Sequence, residues 1–192
     1  METKELSWNI ILASKSPRRQ NLLKELGFEF EIKTKEIEEI YPPGLKKEEV
    51  AVFLSELKAS AFQQDLADQD LVLTSDTIVC LGQEIIGKPK DRADAIQMLS
   101  KLSGNKHEVI TAVTLTAKAK QHTFYEVTTV CFKVLSLQEI EHYIDKYEPF
   151  DKAGSYGIQE WIGFIGIEKI NGSYFNVMGL PVKRVYEEIL NF

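Results

Sequence analysis

A short segment near the start of the sequence combines residue types that bind anions. The apolar run over residues 8–14 predicts a buried strand, and Ser16-Pro17 after it is typical of a first helical turn. A loop from a strand into a helix presents free backbone N–H groups and the positive end of the helix dipole. Arg18 and Arg19 add forked donors that match phosphate oxygens. The segment therefore predicts a phosphate site, with an ordinary capped helix and two solvated arginines as the alternative.

A carboxylate lies inside a strand that is otherwise apolar. Residues 71–80 predict this strand, and Asp76 stands within it beside Thr77. A carboxylate in such a run is costly unless it is paired with a cation or holds a metal. Asp76 is therefore a candidate general base for water, a ligand for Mg²⁺, or both. The alternative is an aspartate at a strand end or on a solvent-exposed face of the sheet.

Two loops that contain glycine carry further candidates. Lys88 follows Gly87 and precedes a proline, just after a short predicted hairpin and close in sequence to Asp76. A surface lysine without a role is the alternative. Residues 150–159 contain glycines and small residues, which allow the backbone to approach a ligand closely. Gln159 offers both a donor and an acceptor, which suits the edge of a base, whereas the alternative is a glycine-rich turn.

Composition narrows the classes of protein to consider. The chain has 192 residues, of which 44% are hydrophobic and 27% are charged, as in a soluble globular protein. The net charge of −6 argues against a nucleic-acid polymer as partner, so an anionic substrate would need local positive charge. No apolar run reaches the roughly 20 residues of a membrane span. The charged residues 1–5 do not resemble a signal peptide, and we expect a cytoplasmic protein without a membrane partner.

Cysteine and histidine give no support to a metal site of their own. Cys80 and Cys131 stand in β-branched, apolar contexts, which predicts two buried core thiols rather than a disulfide. The histidines lack metal-binding spacing, so each is expected on the surface or in the core.

Helices and strands are interleaved along the chain, and two hairpins are present. The pattern predicts an α/β fold with a mixed sheet, in one domain over residues 1–192 or in two lobes that share one core. Asn171-Gly172 adds a further hairpin signal. Asp91 is a predicted cap for the helix that runs to residue 102, and Ser136 and Glu139 form a predicted capping box for the helix that runs to about residue 147. The predicted strands are 8–14, 28–32, 71–80, 84–86, 107–117, 123–134 and 161–170, and the predicted helices are 17–26, 48–67, 92–102, 137–147 and 182–190.

Taken together, these segments resemble the Maf family of nucleotide pyrophosphatases. The motifs occur in the family's order over nearly the whole chain: LASKSPRR at 12–19, SDT at 75–77, GKPKD at 87–91, LSGNKHEVIT at 102–111, DKAGSYGIQ at 151–159 and INGSYFNVMGLP at 170–181. The resemblance implies a twisted mixed sheet flanked by helices, in two lobes with a central cleft, similar to inosine-triphosphate pyrophosphatases. It also implies hydrolysis of a nucleoside triphosphate at the α-phosphorus, a divalent metal cation (Mg or Mn), and a homodimer.

The resemblance also assigns roles to individual positions. Asp76 matches the family's catalytic acidic residue, and Glu39 matches its second acidic residue, so these two would hold the metal. Glu38 is the alternative to Glu39, because the loop around them varies in spacing. The positions that match the family's phosphate-side residues are Ser14, Arg19, Lys58 and Lys88.

Three positions distinguish branches of the family. The branch that acts on dTTP and UTP resembles SPRR, SDT and YGIQ, and this sequence has Arg18, Thr77 and Gln159 there. The 7-methyl-GTP branch resembles SPWR, SDQ and a Lys-Ser-Glu stretch. The resemblance therefore implies a dTTP/UTP pyrophosphatase. It does not distinguish this activity from the removal of modified pyrimidine nucleotides. A non-catalytic nucleotide-binding regulator of cell division is the alternative from another class.

Overall fold

The fold alternates helices and strands, as the periodicity predicts. The computed structural model describes residues 8–192, and the expectation drawn from residues 1–5 lies outside the described residues. The elements are β1 (Asn9–Leu12), α1 (Pro17–Glu25), β2 (Phe30–Ile32), α2 (Lys47–Ser60), β3 (Asp70–Leu81), β4 (Glu84–Ile86), α3 (Arg92–Leu102), β5 (Lys106–Thr116), β6 (Gln121–Phe132), α4 (Leu137–Tyr147), α5 (Trp161–Gly166), β7 (Ile167–Asn171), α6 (Tyr174–Met178) and α7 (Val182–Asn191). Short 3₁₀ turns at Pro149–Asp151 and Ala153–Ser155 link α4 to α5.

The described strands form one seven-stranded sheet. Their order is β2-β1-β3-β5-β6-β7, with β4 added to β3. β1 runs parallel to both β2 and β3, whereas β4 is antiparallel to β3 and β7 is antiparallel to β6. The parallel pairs are connected through helices α1 and α2, as parallel strands require. The predicted α/β class with a mixed sheet flanked by helices is therefore confirmed.

The chain divides into two compact units. Unit 1 contains residues 8–76, 111–126 and 179–192 of the described chain, and unit 2 contains residues 77–110 and 127–178. The boundary falls within β3, between Asp76 and Thr77. Two units agree with the two lobes that the resemblance implies, whereas the central cleft stays a prediction.

Each unit has its own apolar core. In unit 1, Ile11 of β1 and Val72 of β3 pack with Phe62 and Leu66, which follow α2. In unit 2, α3 and α4 contribute buried side chains that pack with those of the strands. The fully buried members of the unit 2 core include Ala95, Leu99, Leu102, Val130, Tyr143 and Ile162. Burial of this kind is the main favourable contribution to folding.

Local sequence signals placed several helix ends correctly. The Asp91 side chain accepts a hydrogen bond from the Asp94 N–H at 2.8 Å, which caps α3 as predicted. Ser136 and Glu139 form the predicted capping box at the start of α4. Helix α2, however, ends at Ser60 and not at 67, because the chain turns after it.

The prediction of a strand over residues 161–170 is wrong for its first part. Residues Trp161–Gly166 form helix α5, and only Ile167–Asn171 form a strand. An apolar run does not by itself separate a buried helix from a buried strand. A Cβ at Gly163 would lie 1.9 Å from the Ile158 carbonyl oxygen, so helix α5 fits closely against the preceding segment only because position 163 is glycine.

The hairpin predicted at Asn171-Gly172 is also wrong. Gly172 has a φ of 129°, but the chain continues into helix α6, and β7 pairs instead with β6. The Thr128 hydroxyl fixes this bend, since it accepts from the Ser173 N–H at 3.0 Å and donates to the Ser173 carbonyl at 3.1 Å. The strand predicted over residues 28–32 forms only at Phe30–Ile32, and Ile32 is 50% exposed.

The remaining composition-based expectations have mixed outcomes. Cys80 is buried as predicted, whereas Cys131 is only partly buried, and neither forms a disulfide within residues 8–192. Within residues 8–192, no helix combines the length and the apolar character that crossing a membrane requires. The predicted cytoplasmic location stays a prediction.

His107 is a core histidine, which is one of the alternatives that the sequence left open. It is 2% exposed, and its Nε2 lies 2.7 Å from the Tyr156 hydroxyl oxygen. Within the part of the chain that the structure describes, its Nδ1 has no hydrogen-bond partner. Burial lowers the pKa of His107 from 6.5 to about 4, because the charged imidazolium would lose its hydration.

His107 should make the fold less stable as the pH falls below 7. Between pH 6.5 and 4 the unfolded chain binds a proton at this histidine that the folded chain does not bind, so unfolding becomes more favourable as pH decreases. We expect His107 to account for a loss of about 2 kcal/mol between pH 7 and pH 5. The free energy of unfolding, measured with urea at pH 7 and at pH 5, checks this loss.

The His107→Phe variant should lose most of that pH-dependent part, although it is less stable at both pH values because the Tyr156 hydroxyl loses its partner. His122, which is half-exposed and lies 3.1 Å from Glu188, provides the control variant His122→Gln. Equal pH dependence in wild type and His107→Phe would contradict the assignment.

Candidate active site

The carboxylate of Asp76 is buried in unit 1 and paired with a lysine. Asp76 is 7% exposed and lies on β3, which is apolar on both sides of it. Its Oδ1 is 2.5 Å from the Nζ of Lys58, which stands in the last turn of α2. Only 10% of the Asp76 side chain and 16% of the Lys58 side chain are exposed. The buried carboxylate therefore has the cationic partner that its burial demands.

Lys58 also contacts a second carboxylate. Its Nζ lies 2.9 Å from Oε1 of Glu39, whose side chain is 43% exposed. Glu39 belongs to the irregular segment between β2 and α2, so its approach to Lys58 depends on tertiary structure. Glu38, the alternative second acidic residue, is exposed. Of these two acidic residues, Glu39 is the one that the structure shows in contact with Lys58, whereas its assignment as the second acidic residue stays a prediction.

Arg19 of α1 is anchored beside this cluster by backbone carbonyls. Its Nε donates to the Gly179 carbonyl at 2.8 Å, and its Nη1 donates to the Ser75 carbonyl at 2.9 Å. Burial lowers the pKa of Arg19, and the negative charge of Asp76 opposes this shift. Because an arginine stays protonated in proteins, Arg19 places a fixed positive charge next to Ser75, the residue before Asp76 on β3.

The loop from β1 into α1 is organised by Ser14. Ser14 is 7% exposed, and its Oγ accepts from the Ser16 N–H at 3.2 Å. Its carbonyl accepts from the Gln20 side-chain amide at 3.1 Å. Ser16 occupies the predicted N-cap position, but its own side chain makes no capping hydrogen bond. The hydroxyl that organises this helix start is therefore that of Ser14, with Arg18 half-buried in the first turn.

A chain of buried hydroxyl groups positions Lys58 against Asp76. Ser55, about one helical turn before Lys58, has its Oγ 2.8 Å from Oγ1 of Thr114 on β5. The hydroxyl of Thr74, two residues before Asp76 on β3, donates to the Ser55 carbonyl at 2.8 Å. These bonds fix α2 to the sheet in one register. Our sequence reasoning missed this feature, although hydroxyl residues within apolar strands are the signal that marks it.

The remaining predicted residues lie in unit 2. Thr77 follows Asp76 on β3 and is half-buried, whereas Lys88 is exposed in the loop between β4 and α3. The Gly154 N–H donates to the Gly87 carbonyl at 3.0 Å, which ties the Lys88 loop to the segment that carries Gln159. Gln159 is half-buried, and among the described residues its buried Oε1 has no hydrogen-bond partner.

The structure thus connects some of the predicted site residues directly. Asp76, Lys58 and Glu39 contact one another through the lysine, and Arg19 reaches the backbone next to Asp76. Ser14 and Arg18 lie in the same unit, at the start of α1. Membership of Thr77, Lys88 and Gln159 in the same site stays a prediction.

The donor set can be compared with the metal that the resemblance implies. In residues 8–192, no group of three or more histidine, cysteine, aspartate or glutamate side chains could hold a metal ion. Asp76 and Glu39 nevertheless approach a common point, at which the Lys58 ammonium lies. Mg²⁺ is commonly bound through one or two carboxylates, with water and substrate phosphates completing its shell. Two carboxylates that already share a cation fit such an ion.

The fold and this cluster define a class, namely an α/β protein with a buried acid, lysine and arginine that suit an anionic ligand. The model of the family described as "Maf-like protein" matches residues 9–192. The chain therefore belongs to the Maf family.

Relatives with assigned names match nearly the whole chain. A protein of Flavobacterium psychrophilum named "dTTP/UTP pyrophosphatase" is 55% identical over 95% of this chain and 93% of its own length. A protein of Phocaeicola vulgatus with the same name is 54% identical over 95% of both chains. Among solved structures, a "Nucleoside-triphosphatase / dITP/XTP pyrophosphatase" from Mycobacterium abscessus is similar with a TM-score of 0.40 and 16% identity, over 65% of this chain and 74% of that chain.

Removing the charge of Lys58 should destabilise the fold. Lys58→Met leaves the buried Asp76 carboxylate without its cation, so we expect a loss of about 3 kcal/mol at pH 7. The double variant Lys58→Met with Asp76→Asn should recover most of this loss, because no unpaired charge then remains. Urea unfolding measures all three free energies.

Lys118 provides the control, because its pair with Asp68 is exposed and Lys118→Met should leave the stability unchanged within error. A Lys58→Met variant as stable as wild type would show that the pair does not hold the buried carboxylate.

Proposed function

We propose that this chain is a nucleoside triphosphate pyrophosphatase that converts dTTP and UTP into the monophosphate and pyrophosphate. The observation that carries the proposal is the buried cluster of Asp76, Lys58 and Glu39, because a carboxylate is costly in an apolar strand unless it serves a cation or a reaction. The relatives that are 55% and 54% identical to this chain bear the name dTTP/UTP pyrophosphatase, which supports the substrate class.

In the proposed reaction Asp76 acts as the general base. It accepts a proton from a water molecule whose oxygen forms a new bond to the α-phosphorus. The bond between the α-phosphorus and the oxygen that bridges to the β-phosphorus breaks, and pyrophosphate leaves with that electron pair. The products are the nucleoside monophosphate and pyrophosphate, and the proton is later released to solvent.

Positive groups would stabilise the charge that the phosphates carry in the transition state. Arg19 supplies a charge whose position is fixed by two carbonyl contacts, and Lys58 supplies an ammonium that already lies against Asp76. We assign Ser14 and Lys88 to the same phosphates by the motif match. A fixed arrangement of charges reduces the reorganisation that the reaction would otherwise need.

A divalent cation, Mg or Mn, is part of the proposal. Asp76 and Glu39 would hold it, and it would neutralise phosphate charge and make the attacking water more acidic. Glu39 is the better suited to exchange its lysine partner for a metal, because its side chain is 43% exposed and can rehydrate at low cost.

We assign recognition of the base to Gln159, with Arg18 and Thr77 as accompanying determinants. The buried Oε1 of Gln159 lacks a hydrogen-bond partner among the described residues, so it is available as an acceptor. Uracil and thymine present an N3–H donor next to the O4 acceptor, and an amide can pair with both. Cytosine presents the reverse order, with an N4–H donor next to the N3 acceptor, so an amide held in this orientation would reject it.

The assembly and location complete the proposal. We propose that residues 1–192 act as one catalytic domain, that the protein functions in the cytoplasm, and that it forms a homodimer. Light scattering of the purified protein at several concentrations tests the dimer.

Asp76→Asn should retain the fold and lose at least about a hundredfold in kcat for UTP, the scale expected when a general base is removed. Asparagine keeps the size of the side chain but accepts no proton. Pyrophosphate release is measured with Mg²⁺ and with Mn²⁺, and circular dichroism checks the fold. Asp68→Asn, a change at an exposed aspartate, is the matched control. A rate near that of wild type in Asp76→Asn would refute the assignment of the base.

A nucleotide panel tests the substrate class and the role of Gln159 together. We expect wild type to have a higher kcat/KM for UTP and dTTP than for CTP, GTP and 7-methyl-GTP. Gln159→Ala should reduce the preference for UTP over CTP by about tenfold or more, since a lost buried hydrogen bond costs roughly 1–3 kcal/mol.

Gln138→Ala, at an exposed position of α4, is the control for the panel. A wild-type preference for 7-methyl-GTP would contradict the proposed substrate, and binding of nucleotides without any turnover would instead indicate a nucleotide-binding regulator. An equal loss on every nucleotide in Gln159→Ala would indicate that Gln159 positions the substrate without reading its base.

A further inference from the structure

Unit 2 contains a buried ionic cluster that the proposed reaction does not use. Lys152 is 9% exposed, and its Nζ lies 2.7 Å from Oδ1 of Asp151 and 3.1 Å from Oε1 of Glu160. The side chain of Glu160 is 18% exposed. Charged groups are retained in such surroundings only when they are paired and hydrogen-bonded. Gln159 is the residue directly before Glu160, so this cluster adjoins the proposed base-recognition residue.

A tyrosine links this cluster to the backbone. Tyr143 of α4 is completely buried, and its hydroxyl donates to Oε2 of Glu160. The other carboxylate oxygen of Glu160, Oε1, is the one that contacts Lys152. The same hydroxyl accepts from the Gly157 N–H at 3.0 Å. Burial and the nearby Glu160 raise the pKa of Tyr143, so the phenol keeps its proton and remains a donor. One hydroxyl thus fixes both the start and the end of the segment from Gly157 to Glu160.

Gly157 brings the carboxylate and the amide of Gln159 close together. A Cβ at Gly157 would lie 2.7 Å from Cδ of Glu160 and 3.0 Å from Nε2 of Gln159. The Glu160 carboxylate is therefore a nearby competitor for the amide donor of Gln159. Lys152 and Tyr143 each occupy one of its oxygens, which reduces that competition. On the other side of the Gln159 amide, Oε1 is left without a partner among the described residues.

We propose that Tyr143 is a positioning residue for base recognition, acting through Glu160 and Gly157 on Gln159. Its hydroxyl keeps the Glu160 carboxylate turned towards Lys152 and holds the backbone at Gly157. Both amide atoms of Gln159 then remain available for the edge of uracil or thymine. This inference rests on the proposed function, and in particular on the reading of the base by Gln159.

Tyr143→Phe removes only the hydroxyl and tests the inference. We expect the ratio of kcat/KM for UTP to that for CTP to fall about tenfold, approaching the value of Gln159→Ala, because a freed Glu160 oxygen can accept from the Gln159 amide. The fall should come from a higher KM for UTP, with kcat largely retained. Tyr147→Phe is the matched control, since Tyr147 lies one turn along the same helix and its ring stacks on Tyr143 at 5.2 Å.

The double variant Tyr143→Phe with Gln159→Ala separates positioning from a general structural effect. If Tyr143 acts through Gln159, the double variant discriminates no less than Gln159→Ala alone. An equal decrease for every nucleotide in Tyr143→Phe, or an unchanged ratio while Gln159→Ala changes it, overturns the inference and leaves the proposed function standing.

If Gln159→Ala itself leaves the ratio unchanged, base reading by Gln159 fails and the inference fails with it. If Tyr143→Phe does not fold, Glu160→Gln provides the second variant, because it has the same size but loses the charge that holds Lys152. The same fall in the UTP to CTP ratio is then expected, and an unchanged ratio overturns the inference.

Discussion

The burial of one carboxylate constrains much of unit 1. Asp76 lies in a strand with apolar residues on either side, where an unpaired negative charge would be too costly to keep. Lys58 must therefore reach it, and this requires α2 to lie on the sheet in a single register. The hydrogen bonds among Ser55, Thr74 and Thr114 supply that register, since buried hydroxyl groups tolerate few alternative arrangements. The burial of the Asp76 carboxylate and the packing of α2 on the sheet therefore depend on each other.

The same pairing explains how an acidic protein can accept an anion. The net charge is −6, so a polyphosphate is repelled at long range. Within unit 1, Lys58, Arg19 and Arg18 carry three positive charges near the two negative charges of Asp76 and Glu39, so the local charge differs in sign from that of the whole chain. Local balance therefore matters more for this site than the overall charge.

The sequence predicted features that depend on neighbouring residues and missed those that depend on distant ones. The caps at Asp91 and Ser136 follow from local hydrogen bonds, and the fold class follows from interleaved periodicity. Helix α5 was missed because an apolar run has the same appearance in a helix and in a strand. The motif match named Asp76 and Lys58, but no pattern specified their contact, because α2 and β3 meet only in the folded chain.

Unpaired polar atoms in unit 2 lie in different surroundings. His107 Nδ1 and Gln159 Oε1 both lack hydrogen-bond partners among the described residues, at a cost of roughly 1–3 kcal/mol for each such group. His107 is 2% exposed and its ring packs against Phe132, so its unpaired atom belongs to a closed core. Gln159 is only half-buried, and the neighbouring Glu160 and Gly157 are both paired. An isolated unsatisfied acceptor within a satisfied network, on a residue that reaches the surface, is what a site for a hydrogen-bonding ligand requires.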